Sequence, residues 1–231
     1  MIDLHGFGNQ LLSGTLVTLE LGLVGMGAAV LLGLIFAPMK MAPLWPLRWI
    51  ATTYTTTIRG IPELLVILLV YFGASRFVNG MADLVGYDGR IEISPFMSGA
   101  IALGFAYGAY ATEIFRGALR AIPKGQIEAA QAIGMGRWIT FRRIVLPQTW
   151  RIALPALGNL FLTLLKDTAL VSVIGVEDLT REAAIATGYT KEPFTFYFAA
   201  AVMYLLLTVF CVIAIHYLEK IAGRGYARGD T

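Results

Sequence analysis

Five long apolar segments follow one another along this chain and constrain its fold more than any other feature. They cover residues 11–37, 53–78, 93–112, 152–176 and 193–218. A helix of roughly 20 apolar residues is long enough to cross the hydrocarbon core of a bilayer. Only 14% of the 231 residues are charged, compared with about a quarter in typical soluble domains. The sequence therefore predicts an integral membrane protein with five spans.

The spans are expected to be helices. The short segments of alternating hydrophobicity that mark a membrane barrel are absent from the sequence. A helix is the other structure that satisfies its own backbone hydrogen bonds inside a bilayer. No internal repeat or soluble domain is evident, so we expect a single all-α membrane domain over residues 1–231. The charged residues inside the spans are few: Glu20, Arg59, Glu63, Arg76, Lys166 and Asp167.

Basic residues are concentrated in alternate intervals between the spans. Residues 38–59, residues 113–151 and the C-terminal tail together hold 13 of the 18 Lys and Arg residues. Residues 73–92 and 177–192 hold four basic residues and seven acidic ones. Because cytoplasmic loops carry an excess of Lys and Arg, we expect the N-terminus outside the cell and the C-terminus inside. The first span has no basic leader, so we expect it to be retained and not cleaved as a signal peptide.

Residue types that carry catalytic or metal chemistry are scarce. Cys211 is the single cysteine and lies inside the fifth span, where packing is a commoner role than redox chemistry. His5 and His216 are too far apart in sequence and in expected depth to suggest a metal site. The phosphate-binding pattern G-x-x-x-x-G-K-[ST] does not occur. We therefore expect no catalytic residue, metal or cofactor on this chain. Topology explains its basic charge without a nucleic-acid partner.

One polar segment stands out within the basic interval 113–151. Residues 128–147 read EAAQAIGMGRWITFRRIVLP. Their pattern predicts a short exposed helix that ends at Gly134 and Gly136, followed by a second helical stretch with a basic face. We expect Pro147 to redirect the chain toward the membrane. Such a helix suits docking into the groove of a partner, but a helix that merely lies on anionic lipid is an open alternative.

The same segment resembles the coupling motif of bacterial ABC-importer membrane subunits, which is E-A-A, three residues, G, nine residues and I-x-L-P. Every spacing of that motif is kept. The matching positions are Glu128, Ala129, Ala130, Gly134, Ile144, Leu146 and Pro147. Residues 59–73, 108–130 and 166–179 are also similar to polar amino-acid importer permeases, most of all to the Q-type subunits of histidine and lysine/arginine/ornithine systems. This resemblance covers essentially the whole chain.

The resemblance implies a type I ABC importer permease fold with five transmembrane helices in the bacterial inner membrane. It implies two cytoplasmic ATPase subunits, which bind ATP and Mg²⁺ and dock on a coupling loop at residues 117–151. It also implies a second homologous permease subunit, with a heterodimer favoured, and a periplasmic amino-acid-binding protein. The transport expected is alternating-access import of polar, mainly basic, amino acids. A secondary transporter or channel without an ATPase is the alternative, and a membrane enzyme would need clustered catalytic groups that the sequence lacks.

Polar residues at membrane depth are the candidates for a substrate path, because they are costly there and usually functional. In the fourth span, Asp167, Thr168 and Ser172 are spaced so that they could line such a path. Neutralisation of Asp167 by the adjacent Lys166 is the open alternative.

Two further carboxylates raise similar alternatives. Glu63 follows Pro62 near the start of the second span, where we expect a helix start or kink that exposes backbone groups. Glu63 could bind a cationic substrate there or pair with Arg59. Glu113 lies at the cytoplasmic end of the third span. We expect Glu113 to pair with Arg116 or Arg120, and contact with substrate is the less favoured alternative.

Overall fold

The computed structural model describes residues 4–84, 86, 89 and 92–223. Within these residues the chain forms nine α-helices, one π-helical segment, one 3-10 segment and no strand. The elements in chain order are α1 Gly8–Met41, α2 Trp45–Arg59, α3 Glu63–Leu84, α4 Pro95–Arg120, α5 Lys124–Ala132, α6 Arg137–Thr140, the π-helical segment Phe141–Val145, α7 Leu146–Asp167, the 3-10 segment Thr168–Ile174, α8 Leu179–Thr190 and α9 Pro193–Ala222.

Four helical segments of the described chain are long and apolar enough to cross a membrane. They are Gly8–Met41, Glu63–Leu84, Arg137–Ile174 and Pro193–Ala222. Large apolar side chains remain exposed along α1, α3 and α9, as expected of surfaces that face lipid or another membrane protein. The expectation of an all-helical membrane protein is therefore confirmed.

Helix α4 is the centre of the fold. It packs along α1 over an extensive interface and also contacts α2, α3 and α7. More than half of its residues are buried, and most of these are Gly, Ala, Ser and Thr. Because this helix faces protein on several sides, small residues make up most of its buried surface.

The close approach of α1 and α4 depends on glycine. A Cβ atom added at Gly104 would lie 2.5 Å from the Cβ of Ala28, and one added at Gly33 would lie 2.9 Å from the Cβ of Ala111. Inside a bilayer, helices associate through such van der Waals contact, because lipid leaves little hydrophobic driving force between them. The small residues therefore determine how tightly the two helices pack.

The interval 53–78, expected as one span, contains a break. Helix α2 ends at Arg59, and α3 begins at Glu63. Pro62 lies in this break, where its ring disfavours helical backbone in the preceding residue. The break places Glu63 in the first turn of α3.

The interval 152–176 also differs from the expectation of a single span. The α-helix ends at Asp167, and the chain continues as the 3-10 segment to Gly175, whose φ is +92°. At the other end Pro147 does not redirect the chain, because residues 137–174 form one continuous helical segment. Pro147 lies in the first turn of α7, where its missing N–H group is tolerated.

Candidate functional site

A polar cluster lies between α3, α4 and the C-terminal end of α7. The Tyr107 hydroxyl donates a hydrogen bond of 2.6 Å to Asp167 Oδ2. The Tyr110 hydroxyl donates one of 3.0 Å to Glu63 Oε1. The two tyrosines lie one turn apart on α4, with ring centroids 5.9 Å apart. Helix α4 thus brings together two carboxylates that the sequence identifies only as separate candidates.

Arg59 belongs to the same cluster. Its Cζ atom lies 5.2 Å from the centroid of the Tyr110 ring, a distance at which a guanidinium is attracted to the ring face. A direct ion pair between Arg59 and Glu63 within 4.0 Å is not formed in the described chain. The two residues instead contact the same tyrosine, Glu63 at the hydroxyl and Arg59 over the ring face.

Lys166 points away from this cluster. No ion pair joins it to Asp167 among the described residues, whose salt bridges lie elsewhere. The Lys166 side chain is exposed, and it lines a cleft with residues of α9, including Tyr204 and Thr208. The alternative of a direct Lys166–Asp167 ion pair is therefore not formed, and the side-chain contact of Asp167 in the cluster is with Tyr107.

The other two residues of the expected substrate path bond to the backbone. The hydroxyl of Thr168, a fully buried residue, donates to the Leu165 carbonyl at 2.8 Å. The Ser172 hydroxyl donates to the Ala169 carbonyl at 2.7 Å. Both hydroxyls stabilise the turn from α7 into the 3-10 segment. In this conformation neither is free to donate to a ligand.

Glu113 lies in an ion cluster with two cations. It accepts hydrogen bonds from Lys40 Nζ and from Arg116, which confirms the expected pairing with Arg116. Lys40 also donates to Thr55 Oγ1 at 2.6 Å. The cluster joins the C-terminal parts of α1, α2 and α4, and no sequence signal links Lys40 to Glu113. The alternative of a substrate contact for Glu113 gains no support from this arrangement.

Helix α5 and the chain around it form an exposed hairpin. The glycine after α5, Gly134, has φ +82°, a backbone conformation that is strained for residues other than glycine. The Gly134 N–H donates to Gln131 O at 2.9 Å, and the Met135 N–H donates to Ala130 O at 3.0 Å. This pattern closes the C-terminal end of α5. Gln148 on α7 donates to Gln126 on α5 at 2.5 Å and fixes the hairpin to the longer helix.

An open groove of about 510 Å³ lies between α5 and the start of α7. It is lined by Gln126, Ala129, Ala130, Ile133, Arg143, Ile144, Pro147 and Gln148. Both ends of the predicted coupling motif therefore meet in one surface feature, although more than ten residues separate them in the sequence. The Glu128 and Leu146 side chains are exposed beside the groove.

These features belong to a helical membrane protein with a polar cluster inside the bundle and an exposed groove beside it. The family described as binding-protein-dependent transport system inner membrane component matches residues 29–222. The chain belongs to this family. It is the permease component of an ABC transport system and resides in the bacterial inner membrane, so a stand-alone channel or secondary transporter is excluded.

Individual relatives cover nearly the whole chain. The nopaline transport system permease protein NocQ of Agrobacterium fabrum is 43% identical over 221 residues, which are 95% of this chain and 94% of that protein. The histidine/lysine/arginine/ornithine transport system permease protein HisQ of Escherichia coli is 43% identical over 227 residues, with 98% and 99% coverage. These relatives are permease subunits.

The fold matches solved transporters as well. The crystal structure of an amino acid ABC transporter with histidines superposes with a TM-score of 0.77 at 35% identity, covering 92% of this chain and 94% of that one. The MetNI methionine ABC transporter gives a TM-score of 0.73 at 19% identity, covering 94% and 98%. The second similarity concerns the fold alone.

Proposed function

We propose that this chain is one of two permease subunits of an ABC importer that moves polar amino acids, mainly basic ones, from the periplasm to the cytoplasm. The observation that carries the substrate class is the convergence of Glu63 and Asp167 on the tyrosine pair Tyr107 and Tyr110. The names of the relatives NocQ and HisQ, a nopaline and a histidine/lysine/arginine/ornithine permease, agree with it.

The charge of this cluster suits a cationic ligand. Two carboxylates face one guanidinium, that of Arg59, because Lys166 points elsewhere. The cluster therefore carries a net negative charge. A cation that leaves water for the membrane interior needs such compensation, since an unpaired charge in a low dielectric is strongly disfavoured. Thr168 and Ser172 would contribute only after their hydroxyls leave the backbone carbonyls that they now contact.

The groove beside α5 is proposed as the docking surface for a cytoplasmic ATPase. Ala129 is exposed and leaves room for close approach, whereas Ala130 is buried in the chain itself. Ile144 and Pro147 also line the groove. Two ATPase subunits would bind ATP and Mg²⁺ and shift this rigid hairpin. A rigid-body shift at such an interface can move the membrane helices between inward-open and outward-open arrangements. Glu128, which is exposed, would hold the docking geometry and would carry no acid–base chemistry.

We propose that α4 is the remaining membrane span, the third of five in chain order. It is 26 residues long, which exceeds the roughly 20 residues that a span requires, and protein surrounds much of it. With five spans, the concentration of Lys and Arg supports a periplasmic N-terminus and a cytoplasmic C-terminus. The whole chain would then be a single permease domain.

The remaining partners are a second, homologous permease subunit, for which we favour a heterodimer, and a periplasmic amino-acid-binding protein. Affinity purification of the tagged chain from its native membranes, followed by reconstitution, tests the whole proposal. We expect two ATPase copies to co-purify and arginine uptake to require ATP and binding protein. Uptake without ATP, or a complex that transports only neutral amino acids, would contradict it.

A further inference from the structure

Two charged side chains at membrane depth are exposed on the outside of the helix bundle. Glu20 lies on the face of α1 that points away from the rest of the chain. Its neighbours one turn away are Leu16, Leu23 and Val24, which are 62%, 56% and 46% exposed. The second charge is Lys166 at the end of α7, on the side opposite the polar cluster. Within the described part of the chain, neither side chain takes part in an ion pair.

Glu20 lies too deep in the membrane for its carboxylate to reach water. It lies about 14 Å along the helix from residue 11, where the first span is expected to begin. That distance is close to half of a hydrocarbon core of about 30 Å. A glutamate side chain is too short to reach either interface from there. An ionised carboxylate on a lipid-facing surface at this depth is strongly disfavoured, so another protein surface is the better neighbour for this face.

Glu20 and Lys166 lie at the same height in the bundle. Helices α1 and α7 touch at Gly22, where an added Cβ would lie 3.0 Å from Leu165 Cδ1. They run in opposite directions, because Gly14 approaches Asp178 farther along. Glu20 lies two residues before Gly22, and Lys166 lies one residue after Leu165. Because the helices are antiparallel, both charges are displaced from the contact toward the same membrane surface. At 1.5 Å per residue the two charges differ in depth by about 2 Å.

The surface around Lys166 is shaped to receive a helix. Lys166 lines an open cleft of about 460 Å³ between the end of α7 and α9. The other lining residues are Ala169, Ala201, Tyr204, Leu205 and Thr208. Two of these are alanines, and small residues permit the close approach of a second helix in a membrane. No residue of the chain's own α1 lines this cleft.

We propose that the Glu20 face of α1 packs against the second permease subunit. Glu20 would enter that subunit's cleft between its helices corresponding to α7 and α9 and pair with a cation there. In return, the first helix of that subunit would present an anion to Lys166. The inference rests on the proposed function, which supplies the second permease subunit. Two subunits related by a two-fold axis along the membrane normal pair only groups of equal depth, and Glu20 and Lys166 satisfy this condition.

Photo-cross-linking in the assembled complex tests this interface. The probe is p-benzoylphenylalanine at position 20, activated in native membranes, with the adduct sequenced by mass spectrometry. We expect a cross-link to the second permease subunit, at its helices that correspond to α7 and α9. The matched control is the same probe at Phe210, which is 63% exposed and lies on the far side of α9 from the cleft. There we expect no permease adduct.

Several outcomes would overturn the interface. They are the absence of any protein adduct at position 20, an adduct to the binding protein or an ATPase, and an adduct to other permease helices. Such a result would leave the proposed function intact if the purified complex still contains ATPase and hydrolyses ATP. If no ATPase co-purifies, the proposed function fails whatever the adduct is.

A charge exchange provides the second test. We expect Glu20→Lys to lower the amount of second permease subunit that co-purifies with the chain by about tenfold, as the loss of an interhelical polar contact implies. Reversing the charge of the second subunit's cation at the position of Lys166 should restore the amount of that subunit that co-purifies. Unchanged recovery in Glu20→Lys would overturn the pairing. If this variant fails to reach the membrane, the cross-link alone decides.

Discussion

Tyr107 and Asp167 are joined by a 2.6 Å hydrogen bond from the phenolic hydroxyl to the carboxylate, across the contact between α4 and α7. Tyr110, one turn farther along α4, holds Glu63 in the same way. Two tyrosine hydroxyls therefore orient two carboxyl groups at one site inside the bundle, and the first prediction concerns these two groups.

Removing either carboxylate should impair the import of basic amino acids. Asp167→Asn and Glu63→Gln each remove one negative charge with little change in size. We expect each to lower ATP-driven uptake of arginine or lysine by about tenfold or more, because a desolvated cation loses a compensating charge. ATP hydrolysis without substrate should be largely spared. Uptake into proteoliposomes containing the assembled complex is the measurement.

Tyr107→Phe is the matched control, since it removes the hydrogen bond but keeps both charges. Its loss of uptake should be smaller than that of Asp167→Asn. Each variant should also be assayed with a neutral amino acid and a binding protein that recognises both substrates. Equal losses of uptake for the basic and the neutral substrate would show that these carboxylates do not discriminate between substrates by charge.

The ion cluster of Glu113 should contribute to stability. Glu113→Gln leaves Lys40 and Arg116 together without their shared carboxylate, in a site where the Glu113 side chain is only 18% exposed. We expect the free energy of unfolding to fall by about 1–3 kcal/mol, less than for a fully buried pair because water reaches this site. Thermal melting of the purified complex in detergent measures the change.

Glu177→Gln provides the comparison for that change. Glu177 is exposed, so the same substitution there should leave the melting temperature nearly unchanged. If the Glu113→Gln complex is as stable as the Glu177→Gln complex, the ion cluster does not stabilise the packing of α1, α2 and α4.

Glycine packing between α1 and α4 gives a third prediction. In Gly104→Ala the added Cβ would lie 2.5 Å from Ala28 Cβ, so the helices must separate, at a cost of about 1–3 kcal/mol. In Gly27→Ala nothing lies within 4 Å of the added atom, and the helix interior gains a better helix former. Gly104→Ala should therefore lower the melting temperature and Gly27→Ala should not. Equal melting temperatures would contradict tight packing at Gly104.

Local patterns in the sequence predict much of this structure. Apolar length identified the membrane helices, and motif spacing identified residues such as Ala130 and Ile144, which meet in one groove. Such patterns do not predict contacts between segments that are distant in the sequence. Lys40 and Glu113 come together only because α1 and α4 pack closely, and the tyrosines that join Glu63 to Asp167 looked like ordinary span residues. The break before Glu63 had a visible signal in Pro62, which indicates a helix start or kink at that point.

The orientation can be tested by labelling single cysteines with a membrane-impermeant reagent. In a Cys211→Ser background, cysteines at Asp83 and Lys191 should react from the periplasmic side. Cysteines at Gln131 and Gly223 should react only after the membrane is opened. Periplasmic labelling at Gln131 would overturn both the orientation and the proposed ATPase docking surface.

The last prediction concerns the end of helix α5. Gly134 has φ +82°, and a leucine there pays about 1–2 kcal/mol for a left-handed backbone or shifts the chain out of it. Gly134→Leu should therefore displace the hairpin that forms the groove. We expect weaker ATPase association and a loss of substrate-stimulated hydrolysis of about tenfold, while the amount of chain in the membrane stays normal. Co-purification and ATPase assays measure these effects.

Gly136→Leu separates this backbone effect from the effect of side-chain bulk. Gly136 has an ordinary φ of −65°, and an added Cβ at either glycine meets nothing within 4 Å. The same leucine should therefore be tolerated better at position 136, because the backbone there need not change. Equal impairment of the two variants would indicate that bulk on the docking surface, and not the left-handed turn, controls association. If Gly134→Leu retains both transport and stimulated hydrolysis, the hairpin does not transmit the ATPase motion to the membrane helices.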